Sequence, residues 1–228
     1  GSLVIWLFYK DDVRSNKKIK KSTENLLKYY KPLFCQALIV FTAYSAYKGI
    51  DYYSQYFYSV LKYSKEESAL LMSNFSYMRP IFAILAGYIA DKTSSAKSSL
   101  VLFTFLSTSF FILYLINDNS GIAYLIIANL AVTMMAVFGL RGIYFSFLKE
   151  TNIPIELTGI SIGLISLVGF FPDIYIGPFF GYFLDNYNIQ EAFKKCFLFL
   201  SVLSLVGFFS TLYLIKSRNK RKEDEQNK

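Results

Sequence analysis

The sequence predicts an all-α membrane protein with six transmembrane helices, and three observations support this prediction. Hydrophobic residues make up 54% of the 228 residues and charged residues only 18%, with a mean hydropathy of +0.36. Six apolar stretches are long enough to cross a hydrocarbon layer ~30 Å thick, which takes ~20 helical residues. The stretches are continuous rather than alternating, which excludes a β-barrel and leaves helices to satisfy the backbone hydrogen bonds in lipid.

The six predicted helices follow one another with short breaks between them. Turn-forming residues separate the third helix from the fourth at 117–121 and the fifth from the sixth at 185–188. The first four helices are predicted over 33–61, 68–90, 99–116 and 122–148; the fifth follows Pro154 and the sixth precedes Lys216. Together they form a predicted transmembrane domain over 33–216.

Three further segments flank this domain. The apolar run at 3–8 is too short to span, so residues 1–9 are expected to be the end of an upstream transmembrane helix. The sequence is then a piece of a longer protein, although a cloning remnant at Gly1–Ser2 gives the same beginning. Residues 10–32 are predicted to be a basic cytoplasmic linker, and residues 217–228 a cytoplasmic tail without regular structure. The linker's Lys and Arg residues are either a simple topology signal or a contact with anionic lipid headgroups.

The orientation follows from the basic residues of alternate loops. Most of the 24 Lys and Arg residues lie in the linker, the tail and the loops holding Lys92, Lys97 and Lys149. The opposite loops hold only Lys62, Lys65, Lys194 and Lys195. The positive-inside rule therefore predicts that both ends of the chain are cytoplasmic, in what is expected to be a bacterial cytoplasmic membrane.

Several function classes are disfavoured by composition. The basic residues flank apolar runs, so the net charge of +8 does not indicate nucleic-acid binding. The sequence contains no His, and Cys35 and Cys196 are far apart with no second ligand at metal-binding spacing. No metal, no cofactor and no enzymatic activity are therefore predicted.

Five charged residues lie inside the apolar stretches: Lys48, Asp51, Arg79, Arg141 and Asp173. A charge at mid-bilayer costs ~2.5 to 3.5 kcal/mol even on the lenient insertion scale, so such groups normally face a bundle interior or a wet cavity. The predicted bundle therefore has a polar inner face. We expect these five residues, with Gln55, to bind or translocate a substrate.

Arg79 lies twelve residues from both Glu67 and Asp91, which is too far from either helix end for its side chain to reach water fully. Its partner is then Asp51, Asp173 or a bound anionic solute, whose carboxylate or phosphate group a guanidinium holds through two hydrogen bonds. A permanent helix-joining ion pair and ligand contact both remain open, and the two roles are able to alternate.

Lys48, Asp51 and Gln55 are spaced to share one helix face, surrounded by tyrosines. The spacing favours a local Lys48–Asp51 pair over a substrate or proton role for Asp51. Arg141 lies nearer the cytoplasmic end of its helix, where a gating or snorkelling role competes with substrate contact.

Proline and glycine predict bends in two helices. Pro80 follows Arg79, and Gly169 and Pro172 lie in the middle of the fifth helix, next to Asp173. Interrupted helices at membrane depth commonly line binding sites.

Two segments resemble the major facilitator superfamily. The run from Gly87 to Lys92, GYIADK, is similar to the G-x-x-x-D-[RK] loop motif that follows the second helix of each six-helix half. The fifth helix, 159–185, is similar to the penultimate helix of that superfamily, with its glycines and closing G-Y-x-x-D. The first motif departs from the pattern because no Gly follows the basic residue.

The resemblance covers the whole chain and implies the carboxy-terminal half of a twelve-helix transporter, helices seven to twelve, joined by its central cytoplasmic loop. It implies alternating access of two halves around a central site, with Gly87, Asp91 and Lys92 as a conformational latch. The amino-terminal six-helix half is then the missing partner.

Interior cations outnumber interior anions, which favours a small anionic organic solute carried by symport or antiport with protons or a counter-ion. The alternative is a non-transporting scaffold or receptor-like bundle, in which the charges only pair helices.

Overall fold

The computed structural model of the chain describes residues 29–116, 122–150 and 153–226, with the side chains of all of them except 149–150 and 220–226. In those ranges the backbone forms ten helices and no strands, which confirms the all-α fold. The predicted upstream helix end at 1–9 and most of the predicted linker at 10–32 lie outside the described residues. The helices are α1 (Tyr30–Ile50), α2 (Tyr53–Ser59), α3 (Lys65–Ser76), α4 (Arg79–Lys92), α5 (Ser95–Leu115), α6 (Ala123–Ile143), α7 (Phe147–Glu150), α8 (Ile155–Gly169), α9 (Pro172–Asn186) and α10 (Ile189–Gln226).

Six helical stretches within the described ranges are long and apolar enough to cross a membrane, as the sequence predicted. Three of these spans consist of two helices in succession and three of one helix. In order, spans 1 to 6 are α1 with α2, α3 with α4, α5, α6, α8 with α9, and α10 up to Asn219.

Spans 2 and 5 break where proline predicted a bend. Pro80 lacks the N–H that would bond to the Ser76 carbonyl, and α3 ends at Ser76. Pro172 likewise cannot donate to Val168, whose carbonyl instead accepts from the Phe171 N–H at 3.2 Å. Both predicted bends are confirmed, and each opens a new helix with proline in its first turn.

Span 1 breaks without a proline, which the sequence did not predict. The Asp51 N–H bonds to the Lys48 carbonyl and the Tyr52 N–H to the Gly49 carbonyl, both at 3.2 Å. These i to i+3 bonds tighten the end of α1 and stop it at Ile50.

Two helix ends differ from the sequence predictions. Span 4 ends at Ile143 rather than at 148: the Ser146 N–H bonds to the Ile143 carbonyl at 2.9 Å, an i to i+3 bond that tightens the backbone there. The buried Gln36 amide donates to the next carbonyl, that of Tyr144, at 3.2 Å. The tail was predicted to lack regular structure, but α10 continues to Gln226. Basic and acidic residues four positions apart in the tail sequence favour this helical continuation.

The spans alternate in direction. Two contacts show that spans 1 and 5 are parallel. Gly169 of span 5 packs against Val40 of span 1, and four residues later in each span Asp173 accepts a hydrogen bond from Tyr44. Spans 3 and 6 are antiparallel: Phe103 packs against Gly207, and Ser107 bonds to Ser201. This order brings the end of α4, the start of α8 and the end of α10 to the same end of the bundle.

Spans 3 and 4 are held together by a buried polar network as well as by apolar packing. The Ser109 hydroxyl donates to Asn129 Oδ1 at 2.9 Å, and the Asn129 amide donates back to the Ser109 carbonyl at 3.1 Å. Thr133 lies 2.6 Å from the same serine hydroxyl. Paired hydrogen bonds between small polar residues are a typical way for transmembrane helices to associate without charge.

Candidate functional site

Each of the three broken spans places one charged residue at its break. Asp51 lies between α1 and α2, Arg79 begins α4, and Asp173 lies in the first turn of α9. A carboxylate at that position of α9 is favoured by the positive end of the helix dipole. Two of these three residues, Asp51 and Asp173, meet at one lysine of span 1.

Lys48 joins two of these breaks. Its ammonium nitrogen lies 3.2 Å from Asp51 Oδ2 and 3.4 Å from Asp173 Oδ1. The local pair with Asp51 was predicted, and the pair with Asp173, 125 residues away along the chain, was not. The Tyr44 hydroxyl donates to Asp173 Oδ2 at 3.0 Å, so that carboxylate is held by two residues of span 1.

Arg79 lies between two aromatic rings. Its guanidinium carbon is 5.6 Å from the centre of the Tyr47 ring and 5.2 Å from that of Phe138, within the range of cation–π attraction. Two long hydrogen bonds of 3.4 Å run to the Tyr47 hydroxyl and to the Ser76 hydroxyl.

Arg141 stacks on the same tyrosine. Its guanidinium carbon is 3.8 Å from the centre of the Tyr47 ring and 5.6 Å from that of Tyr44. A glycine helps to bring the two arginines to one ring: a Cβ at Gly142 would lie only 2.8 Å from the Ala83 carbonyl oxygen, so α4 and α6 approach closely here.

Neither arginine has a carboxylate partner within ion-pair distance among the described residues. The sequence offered Asp51, Asp173 or a bound anion as the partner of Arg79. In the structure both carboxylates are bonded to Lys48 instead. We call Lys48, Asp51, Arg79, Arg141 and Asp173 the charged cluster.

The charged cluster lies on an open side of the six spans. Asp51, Arg79 and Asp173 are exposed, whereas Lys48 and Arg141 are partly buried. The sequence predicted that these side chains face a bundle interior or a wet cavity; within this chain none of the five is fully buried.

The other predicted site residues lie outside the cluster's contacts. Gln55 is exposed on α2, beyond the break at Asp51, so the predicted continuous stripe of Lys48, Asp51 and Gln55 is interrupted. Gly87, Asp91 and Lys92 belong to α4, whose last turn ends at Lys92; Lys92 lies over the Tyr88 ring at 4.3 Å. At 1.5 Å per residue the last of these is ~20 Å along α4 from Arg79.

Phe138 is a contributor that the sequence analysis missed. Its ring meets the Tyr47 ring edge to face, with 6.4 Å between the ring centres, and contacts Arg79. Phe138 lies three residues before Arg141 and therefore on the same helix face. This spacing could have indicated from the sequence that Phe138 belongs to the site. No three His, Cys, Asp or Glu side chains gather as a possible metal site in the part of the chain that the structure describes.

No family model matches the chain. The chain is similar to the inner membrane protein YqcE of Escherichia coli strain K12, with 23% identity over 95% of this chain and 54% of the relative. It is also similar to the inner membrane protein YihN of the same strain, with 23% identity over 85% of this chain and 47% of the relative. An uncharacterized protein of Mycoplasma pneumoniae is 27% identical over 49% of this chain and 56% of its own length.

The chain is a multi-pass membrane protein. Its six apolar spans and its similarity to two inner membrane proteins agree on this point. It spans about half the length of the relatives that it matches.

Proposed function

We propose that this chain is the carboxy-terminal half of a secondary active transporter of the major facilitator type. It moves a small anionic organic solute by alternating access, by symport or antiport with protons or a counter-ion. The chain performs no enzymatic reaction and holds no cofactor. Its partners are the solute, the surrounding lipids and an amino-terminal six-helix half.

The observation that carries the proposal is the pair of arginines that share the Tyr47 ring and have no carboxylate partner in the part of the chain that the structure describes. Charges within membrane spans are normally paired, because an unpaired one costs several kcal/mol. Lys48 meets this requirement with two carboxylates. Among the described residues, Arg79 and Arg141 contact aromatic rings and hydroxyl groups but no carboxylate. An anionic solute supplies the missing negative charge.

The start of α4 strengthens the attraction for an anion. Arg79 is the first residue of this helix of 14 residues, whose N-terminal N–H groups carry a partial positive charge. The guanidinium and the helix end therefore act on the same side of the site. Broken spans commonly place helix ends at solute sites in this way.

The open side of the bundle supports the second half as a partner. Asp51, Arg79 and Asp173 are exposed on this chain, although a charge facing lipid is costly. On the α8–α9 span, a Cβ added at Gly159, Gly163 or Gly181 meets nothing within 4 Å, which leaves room for another helix to approach. A second half that covers this side would enclose the charged cluster in a central cavity.

The proposal assigns distinct roles to the remaining predicted residues. Arg79 and Arg141 bind the anion, and Lys48 holds the two carboxylates in place. Asp51 and Asp173 are the candidates for proton coupling, and Gln55, exposed on α2 beyond the break, is a further candidate for contact with the solute. Gly87, Asp91 and Lys92 form the latch at the end of α4 that we expect to be cytoplasmic.

Solute counterflow into proteoliposomes tests the proposal. The full-length protein is reconstituted, and a panel of labelled organic anions, sugars and amino acids is offered to the wild type and to Arg79→Ala. We expect an organic anion to be taken up by the wild type and its uptake to fall at least ~10-fold in the variant, because one charge-assisted contact of ~1.5–3 kcal/mol is lost.

Two further variants separate a specific role from general damage. Arg79→Lys keeps the charge but loses the planar fork, and we expect it to recover only part of the uptake. Lys65→Ala removes an exposed cation of α3 that lies over the Tyr58 ring of α2. This variant should transport as the wild type does. If no solute moves, the result favours the non-transporting scaffold; if Arg79→Ala matches the wild type, the arginine pair does not bind the solute.

A further inference from the structure

Charge is separated within the charged cluster. At one end, Arg79 and Arg141 surround Tyr47 with no carboxylate in ion-pair range among the described residues. At the other end, Asp51 and Asp173 share the single cation Lys48. The formal charge is therefore positive at the arginine end and negative at the carboxylate end.

Tyr44 connects the two ends. Its hydroxyl donates to Asp173 Oδ2 at 3.0 Å, while its ring centre lies 5.6 Å from the guanidinium carbon of Arg141. A single tyrosine side chain thus reaches from the negative end to the positive end. One small organic molecule of similar length can therefore contact both ends of the cluster.

The carboxylates retain capacity to accept hydrogen bonds. An ionised carboxylate offers about four acceptor positions. Asp51 receives Lys48, and Asp173 receives Lys48 and Tyr44. The Asp51 and Asp173 side chains are 52% and 49% exposed, so acceptor positions remain open to a ligand.

We infer that the solute is bifunctional: one end carries a negative charge and the other carries hydrogen-bond donors, either hydroxyl groups on an anion or an ammonium group on a zwitterion. This inference rests on the proposed transport function and names its substrate class. A second anionic group would face Asp51 and Asp173 and be repelled. An apolar end would remove water from the same carboxylates without replacing its hydrogen bonds.

Four six-carbon carboxylates test the inference: three differ only at the end opposite the carboxylate, and gluconate carries a hydroxyl group on every other carbon of its chain. Gluconate carries hydroxyl groups, 6-aminohexanoate an ammonium, hexanoate a methyl group and adipate a second carboxylate. Each is used as an unlabelled competitor against the anion that the counterflow panel finds to be transported by the full-length protein. We expect gluconate or 6-aminohexanoate to compete at least ~10-fold better than hexanoate and adipate, as sites built for donors reject analogues that lack them.

Asp173→Asn and Asp51→Asn provide the matched variants. Each removes one negative charge from the carboxylate end, so competition by adipate should rise relative to that by gluconate. An amide oxygen still accepts from a hydroxyl, so competition by 6-aminohexanoate should fall more than that by gluconate. Thermal unfolding of each variant in detergent shows whether it is folded.

The outcomes distinguish the inference from the proposed function. If no anion of the panel is transported, the proposed function is wrong and the inference falls with it. If an anion is transported in an Arg79-dependent way, but hexanoate or adipate competes as well as the donor-bearing probes, only the inference is wrong. It is also wrong if none of the four probes competes, or if the two Asn variants leave the adipate-to-gluconate ratio unchanged.

Discussion

Arg141 lies over the Tyr47 ring, with its guanidinium carbon 3.8 Å from the centre of the ring. Arg79 lies 5.6 Å from the same centre. A ring attracts a cation through its negative face without neutralising it, so the tyrosine holds both guanidinium groups in place while leaving their charge available. Under the proposed function, this arrangement keeps two like charges near one ring until an anion binds.

Replacing Tyr47 by Leu should weaken solute binding. The loss of cation–π contacts worth ~0.5–2 kcal/mol should raise the KM for counterflow by about 2- to 30-fold. Tyr47→Phe keeps the ring and loses only the long hydrogen bond to Arg79, so its KM should stay close to that of the wild type. The comparison is made by measuring uptake against solute concentration for both variants.

Tyr187→Leu is the control for Tyr47→Leu. It removes a comparable contact, with Lys195 at 4.3 Å, in the turn between spans 5 and 6. Its KM should not change. An equal rise in KM for both leucine variants would mean that Tyr47 acts through general stability rather than by holding the arginines.

Asp173→Asn should lower the thermal stability of the protein in detergent more than Asp51→Asn does. Asp173 joins span 5 to span 1 through Lys48 and Tyr44, whereas the Asp51 pair is local to one span. Partly exposed pairs contribute at most ~1 kcal/mol, so we expect a Tm lower by ~2–4 °C for Asp173→Asn and by less for Asp51→Asn. Equal shifts would argue that the Asp173 contacts do not hold the two spans together.

The number and order of the spans were predictable because lipid imposes a length and an apolar composition on each of them. The members of the charged cluster were also predictable, because a charged residue is energetically costly in an apolar span and is therefore rare there. Proline predicted two of the three breaks. The break after Ile50 has no proline, and its tight turn at Asp51 and Tyr52 is visible only in the backbone hydrogen bonds.

The partners within the cluster were not predictable from one sequence. The spacing of Lys48 and Asp51 predicts a local pair, but the contact with Asp173 depends on the parallel packing of spans 1 and 5. From the sequence, both Asp51 and Asp173 were candidate partners of Arg79. No local pattern indicated that Lys48 bonds to both carboxylates. Stacking of two arginines on one ring likewise depends on the close approach of α4 and α6 at Gly142.

Gly207→Ala should destabilise the contact of span 6 with spans 1 and 3. A Cβ at this position would meet the Phe103 ring and the Thr42 hydroxyl, and Phe103 is fully buried. Overpacking of this kind costs ~1–3 kcal/mol, which should appear as a lower Tm in detergent. Val202→Ile adds one carbon on an exposed face of the same helix and should leave the Tm unchanged. A Gly207→Ala protein as stable as the wild type would contradict the close packing described for this contact.

Pro172→Ala should preserve stability and impair transport. In the wild type the Val168 carbonyl accepts from the Phe171 N–H. In the variant the new N–H of residue 172 can donate to that carbonyl instead, so α8 and α9 can join into one continuous helix. A straighter span would move Asp173 away from Lys48 and Tyr44, and misplacement by ~1 Å in a site can cost ~100-fold in rate. The added helix hydrogen bond offsets the lost Asp173 contacts, so we expect an unchanged Tm with counterflow reduced ~10- to 100-fold. Pro178→Ala, inside α9 and beyond the break, should reduce transport much less. Transport by Pro172→Ala at the wild-type rate would show that the break is not what positions Asp173.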